Sequence, residues 1–259
     1  MNYGPPRKRF GQHFLHDPSV LDRIVQAIDP AADDHVVEIG PGRGALTRPL
    51  LGRVARLDVV ELDRDLAARL EVELQDSRLH VHQGDALRFD FRVLGTDLRL
   101  VGNLPYNIST PLLFHLLEQS DCFRDLHVML QKEVVDRMAA APGGRDYGRL
   151  TVALAARCRV ERLFVIRPGA FSPPPRVDSA FARLVPDPEK RAQIDSEPVF
   201  DQVVTRAFSQ RRKQLANSLR GLVDAAGLQT LGIDPTSRPE TLDVAAFTKI
   251  ANYCARKNS

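Results

Sequence analysis

The sequence predicts an α/β domain built on a parallel sheet with helices on both faces, followed by a small all-helical domain. Short strand-like runs alternate with helical stretches over roughly the first 185 residues, the pattern of a parallel sheet. A glycine turn, Gly40-Pro41-Gly42-Arg43-Gly44, joins one such run to a helix. After Val185-Pro186-Asp187-Pro188 only helical periodicity continues. The expected division is therefore residues 1–186 and residues 187–259.

The elements follow in order. Asp17-Pro18 opens a helix whose apolar positions are Val20, Leu21, Ile24, Val25 and Ile28. His35-Val36-Val37-Glu38-Ile39 is a short strand; the glycine turn follows, then a helical stretch around 45–51. A strand over 57–61 leads into a helix carrying Leu62, Leu66, Leu70 and Leu74. Residues 79–82, 98–101 and 126–130 read as further strands, with 108–119 helical. In the second domain, Val199, Phe200, Val203, Val204, Ala207 and Phe208 mark one amphipathic helix. Val244, Phe247, Ile250, Ala251 and Cys254 mark another, which makes Cys254 a packed core thiol.

Composition narrows the class. A 43% hydrophobic and 27% charged chain of 259 residues is neither disordered, collagenous nor a disulfide scaffold. No apolar run approaches the roughly 20 residues that span a bilayer. The basic start, Arg7-Lys8-Arg9, has no apolar stretch behind it and is no secretory signal. Cys122, Cys158 and Cys254 have no metal-ligand spacing and no even pairing. A reduced, cytosolic, soluble monomer without a metal or membrane partner is expected.

The net charge of +3 says little about partners, but its distribution says more. Arg7, Lys8 and Arg9 are adjacent, and residues 202–223 hold five basic residues (Arg206, Arg211, Arg212, Lys213, Arg220) and no acidic one. Such runs are either solvated faces or phosphate-binding surfaces. Arg206, Gln210 and Lys213 share a helix face if the helix continues that far. Arg211 would then fall nearer the apolar side, so a bend or helix end is expected close by.

The glycine turn admits two ligand classes. Gly40, Gly42 and Ala45 satisfy G-x-G-x-x-A, and Glu61 follows Gly40 by 21 residues at the end of the next strand, as in a dinucleotide site. Both NAD and S-adenosylmethionine carry an adenosine whose ribose hydroxyls suit a carboxylate at Glu61. Glu38 separates them: its charge opposes a pyrophosphate but attracts the ammonium and sulfonium of S-adenosylmethionine. The methyl donor is the better fit. Asp85, in Gly84-Asp85-Ala86 after the third strand, is placed to accept from an adenine amine or to cap the following turn.

Asn103-Leu104-Pro105-Tyr106 follows the fourth strand and suits methylation of an exocyclic amine on a planar ring. An adenine N6 lone pair is delocalised into the ring and is a poor nucleophile. The Asn103 side chain and the Leu104 carbonyl can accept both N6 hydrogens and draw the nitrogen toward tetrahedral geometry. Catalysis is then mostly positioning and electrostatics. Tyr106 offers a face for a flipped base, with stacking worth roughly 1–3 kcal/mol. Phe171, heading the rigid Phe171-Ser172-Pro173-Pro174-Pro175 loop, either closes the second face of that base or anchors a proline turn.

Taken together these segments resemble the small-subunit ribosomal RNA adenine N6,N6-dimethyltransferases of the KsgA/RsmA type. The resemblance is carried by Lys8 to Leu15, the 38–47 loop, Glu61-Leu62-Asp63-Arg64, Gly84-Asp85-Ala86 and Asn103 to Tyr106. It continues through Gln131-Lys132-Glu133-Val134, Tyr147-Gly148-Arg149-Leu150, residues 171–180 and Arg211-Arg212-Lys213. It implies a Rossmann-like class I methyltransferase domain and a helical domain that docks on the 30S subunit. The implied substrate is a pair of adjacent adenosines in a hairpin loop near the 3′ end of 16S rRNA, with a role in ribosome assembly. Cofactor contacts implied by the family are His13, Leu15, Gly40, Glu61, Asp85 and Asn103, beside which Gln12, Glu38, Gly42 and Ala86 complete the candidate donor site. Arg7, Lys8, Arg9, Arg206, Arg211, Arg212 and Lys213 form the candidate RNA contacts. His13 departs from the family, which usually has Asn there; a neutral imidazole can still donate to the methionine carboxylate. A 23S rRNA adenine methyltransferase and a non-catalytic assembly or transcription factor remain the competing classes.

Overall fold

The computed structural model describes residues 13–210 and 213–257. In chain order the elements are β1 (Phe14–Leu15), α1 (Pro18–Ile28), β2 (His35–Ile39), α2 (Thr47–Leu51), β3 (Arg56–Glu61), α3 (Arg64–Leu74) and β4 (Leu79–Gln83). Then come β5 (Leu98–Asn103), α4 (Ser109–Glu118), β6 (Phe123–Gln131), α5 (Lys132–Met138), α6 (Arg149–Ala155), β7 (Cys158–Ile166), β8 (Phe171–Ser172) and β9 (Ser179–Pro186). Short helices α7 (Pro188–Arg191), α9 (Leu215–Ser218) and α10 (Ala225–Thr230) accompany the longer α8 (Glu197–Ser209) and α11 (Val244–Lys257). Two compact units emerge, the first running to Val135 and resuming over Glu161–Pro186, the second taking Asp136–Val160 and the chain from Asp187 on.

The first unit holds a seven-stranded sheet of order β4-β3-β2-β5-β6-β9-β7. Strands β2 to β6 pair in parallel, whereas β9 runs antiparallel to β6 with Gln131 opposite Ser179. The sheet is thus mixed, not purely parallel as the sequence suggests. Strand β9 escapes the reading because Ser179-Ala180-Phe181-Ala182-Arg183 offers small and charged residues where an apolar run is sought. From β2 the chain moves outward through β3 to β4, then returns to the other side of β2 for β5. The carboxyl ends of β2 and β5 therefore flank a topological switch point, where open α/β sheets bind ligands.

Local chemistry explains the element ends. Asp17 caps α1 by accepting from the Ser19 and Val20 amides at 2.9 and 3.3 Å, with Pro18 in the first turn, where no amide is needed. At the other end, Arg99 of β5 donates to the Ile28 and Asp29 carbonyls at 2.7 and 3.0 Å, satisfying acceptors the helix leaves free. The same guanidinium meets Asp34 at 2.7 Å and forks onto Asp125 at 3.0 and 2.9 Å. Burial, the largest single influence, would raise both carboxyls, but Arg99 together with Arg124 and the Ala31 amide at Asp34, and with His127 and Arg183 at Asp125, outweighs it and holds them below the usual range. Two strands over, on β3, buried Asp58 accepts from His35 and His82 at 2.6 Å each and from Arg56 at 2.8 Å.

The second unit has its own core, formed by Phe200, Val203, Val204 and Ala207 of α8, by Phe247, Ile250, Ala251 and Cys254 of α11, and by Tyr147, Val152 and Ala156. The last three lie before the expected boundary at 186/187. Residues 136–160 join the helical unit because these side chains bury there, the Tyr147 ring meeting Phe208 at 6.1 Å. Helix α8 ends at Ser209, as the position of Arg211 suggests, so Lys213 leaves the helix face it would have shared with Arg206.

Arg99→Met is expected to cost about 3–5 kcal/mol in urea unfolding, because Asp34 and Asp125 lose their shared cation while remaining buried. Lowered folded-state values mean that both carboxylates stabilise the fold above roughly pH 4 and lose that contribution as pH falls. In the variant the acid transition should therefore move to higher pH.

Candidate active site

A cavity of about 360 Å³ opens at the carboxyl ends of β2, β3, β4 and β5. Backbone hydrogen bonds extend the sheet ladder into the loops that wall it. Gly40 N–H donates to Val60 at 2.9 Å, Gly84 N–H to Glu61 at 2.9 Å, and Leu104 N–H to Met129 at 3.1 Å. Each loop is thus fixed to a neighbouring strand, so the groups facing the cavity are positioned by the sheet.

The turn after β2 needs glycine. Gly42 has φ +57°, and a Cβ there would lie 3.0 Å from the Phe14 ring. That ring belongs to the segment folding over the cavity, and the Arg43 guanidinium covers it at 4.4 Å. Gly102, before Asn103, allows another close approach: its Cβ would meet the Ile39 carbonyl at 2.7 Å.

Two carboxylates dominate the electrostatics. Glu38 is buried at 3% exposure and accepts from the Thr47 hydroxyl at 2.7 Å. Burial pushes it up to about 8, with the Thr47 hydrogen bond opposing and the nearby Glu61 charge adding to the rise. Glu61 is also buried, and burial raises it despite backbone N–H groups of Asp63 and Gly42 at 2.8 and 3.1 Å. Asp85 accepts from the Leu87 amide at 3.0 Å, a turn-capping bond, and borders the same cavity.

The loop after β5 forms the opposite wall. Asn103 donates its Nδ2 to the His13 carbonyl at 2.9 Å, which leaves Oδ1 as the free acceptor of that amide. The Tyr106 ring stacks on His13, with centroids 5.6 Å apart, and its hydroxyl lies 2.6 Å from Ser179 Oγ. His13 Nδ1 donates to the Pro173 carbonyl at 2.8 Å, so that nitrogen is engaged within the protein.

Of the residues singled out from sequence, His13, Leu15, Glu38, Gly40, Gly42, Glu61, Asp85, Ala86 and Asn103 to Tyr106 all line the cavity. Phe171 does not: it is 2% exposed and packs in the core with Leu15, Ile166 and Phe181. The antiparallel pairing of β1 with β8, Leu15 opposite Phe171, turns the ring inward and makes it the anchor of the proline loop. Gln12, Arg7, Lys8, Arg9, Arg211 and Arg212 lie outside the described residues. Arg206 and Lys213 are exposed, Arg206 donating to the Arg220 carbonyl at 2.9 Å. Sequence reasoning missed Leu62, Met129 and Ser179. Leu62 is 45% exposed at the cavity, a site signal only once its place after Glu61 is known.

Comparisons with known proteins identify the fold and the family. The fold is that of a class I methyltransferase: the chain superimposes on a dimethyladenosine transferase from Plasmodium falciparum with a TM-score of 0.83 at 27% identity, covering 95% of this chain and 98% of that one. The 23S rRNA methyltransferase ErmE shares the fold at a TM-score of 0.67 and 24% identity, over 93% of this chain and 99% of that one. The ribosomal RNA adenine dimethylase family model matches residues 5–256, and the chain belongs to that family. Ribosomal RNA small subunit methyltransferase A of Pseudomonas putida is 54% identical over 96% of this chain and 95% of its own length. The protein of that name from Dechloromonas aromatica is 53% identical over 95% and 97%.

The pH dependence of stability follows from Glu38. Because its folded-state value is raised, its contribution is greatest at acid pH and is lost as pH rises through about 8. Between pH 6 and 9, chemical unfolding should show stability declining in the parent and a flatter profile in Glu38→Gln.

Proposed function

We propose that this enzyme transfers methyl groups from S-adenosylmethionine to the N6 amines of two adjacent adenosines, in a hairpin loop near the 3′ end of 16S rRNA. The substrate is the immature 30S subunit, and the protein acts as a cytoplasmic monomer in ribosome biogenesis. Among the described residues no helix is long and apolar enough to cross a membrane. The observation that carries the proposal is one cavity with two buried carboxylates on one wall and the Asn103 to Tyr106 loop on the other.

The residues present fit the donor. Two buried carboxylates beside a glycine turn suit a cationic adenosine compound and oppose an anionic dinucleotide. Gly42 leaves open the space that a Cβ would contest with Phe14. When bound, S-adenosylmethionine supplies an electrophilic methyl group. Glu38 offers negative charge to its cationic portion, Glu61 accepts from the ribose hydroxyls, and Asp85 accepts from the adenine amine. On the acceptor side, Asn103 Oδ1 and the Leu104 carbonyl accept from the N6 hydrogens and orient the nitrogen lone pair. Tyr106 stacks on the flipped base. No strong base is required, since the cationic product nitrogen readily loses a proton to water.

Incubation with labelled donor and unmethylated 30S subunits, followed by mass mapping of the modified fragment, tests the proposal. Two dimethylated adenosines in the small-subunit RNA are expected. Label confined to 23S rRNA, or no transfer at all, would overturn it.

Asn103→Ala should bind 30S subunits nearly as the parent does and lower single-turnover transfer on the order of a hundredfold, because the amine is no longer aligned. A second prediction concerns the basic segment, taken to hold rRNA phosphates without reading sequence. Reversing Arg211, Arg212 and Lys213 to Glu should abolish 30S binding at moderate salt while donor affinity persists. Single neutralisations should each lower the salt slope by about 0.7–0.9 per lost phosphate contact.

A further inference from the structure

The Tyr106 ring reaches the cavity from the loop after β5, but its direction is set from outside that loop. Its hydroxyl lies 2.6 Å from Ser179 Oγ. Ser179 opens β9, is 0% exposed, and stands opposite Gln131 of β6, so its hydroxyl is carried by the sheet. A buried hydroxyl must find a partner, and among the described residues the Ser179 side chain finds Tyr106. On the ring face, His13 stacks at 5.6 Å with planes 29° apart, itself tethered through Nδ1 to the Pro173 carbonyl at 2.8 Å. The stack restricts rotation about the first side-chain torsions, and the hydroxyl tie fixes where the ring axis points. A ring held in this way gives up little further rotamer freedom when a base stacks on it, whereas an untethered tyrosine would lose that freedom on binding.

We propose that Ser179 is a positioning residue for methyl transfer: by holding the Tyr106 hydroxyl it fixes the stacking platform before the acceptor base arrives. The proposal rests on the reading of Tyr106 as the base-stacking residue. Ser179 does not line the cavity and acts only through the tyrosine. Its effect therefore falls on the alignment of the amine with the methyl group, a step at which small displacements are costly. Affinity for the particle depends on other contacts and should not change.

The experiment is a double-mutant cycle with unmethylated 30S subunits and saturating S-adenosylmethionine, comparing Ser179→Ala, Tyr106→Phe and the double variant. Donor affinity by calorimetry and the thermal midpoint are measured alongside. Each single variant should lower kcat about five- to tenfold, the worth of one neutral hydrogen bond, with KM for the particle and donor affinity within about twofold. The double variant should be no slower than either single one, because both cut the same bond. Losses that multiply in the double variant, or a Ser179→Ala kcat within about twofold of the parent, would overturn the proposal. Should Ser179→Ala fail to fold, Tyr106→Phe breaks the same bond from its half-exposed side, and a parent-like kcat there overturns it equally. Tyr106→Ala separates the underlying reading: parent-like transfer in that variant would remove Tyr106 itself from the acceptor site.

Discussion

Two carboxylates, Glu38 and Glu61, lie buried at the carboxyl ends of adjacent strands, and among the described residues no protein cation is paired with either. This is an unfavourable arrangement for a folded chain, since an ionised carboxylate in an apolar setting is costly unless something compensates it. The free protein relieves it in two ways. Glu38 holds its proton up to about 8, and Glu61 receives backbone N–H groups from Gly42 and Asp63. The second remedy requires the turn after β2 to bend its amides toward β3, which is what the left-handed conformation at Gly42 accomplishes. The turn and the cavity wall it forms follow from the same constraint. On the function proposed above, the cationic donor is the group that would compensate the two carboxylates.

The two ends of the sheet treat charge oppositely. Near the amino ends of β5 and β6, Arg99, Asp34 and Asp125 satisfy one another, and Asp58 has three partners. Near the carboxyl ends, Glu38 and Glu61 have a hydroxyl and backbone amides as partners and, among the described residues, no cation. Removing a partner from the first set destabilises the fold. A scaffold with well-compensated charge at one end can tolerate the deficit at the other, and this division places the chemistry at the switch point.

Much of this was legible in the sequence. The alternation of strand and helix located β2 to β6, because each carries a short apolar stretch bounded by polar or glycine turns. Glu38, Glu61, Asp85 and Asn103 to Tyr106 could be gathered into one site because parallel strands place all their carboxyl ends on one edge. What escaped depends on pairing between distant segments. The burial of Phe171 follows from the two-residue ladder with Phe14–Leu15, which no local pattern announces. Residues 136–160 belong with the helices because Tyr147 and Val152 bury there, yet their own sequence reads as a continuation of the first domain. Ser179 looks like an ordinary polar residue until β9 brings it to the Tyr106 hydroxyl.

The electrostatics of the site turn most directly on the protonation of Glu38. Infrared difference spectroscopy near pH 7, recorded on adding S-adenosylmethionine to the whole protein, reads a buried carboxyl through its C=O stretch. Loss of a protonated-carboxyl band and gain of a carboxylate band are expected on binding, both absent in Glu38→Gln. A parent spectrum with no carboxyl change, or a change that persists in Glu38→Gln, would contradict it.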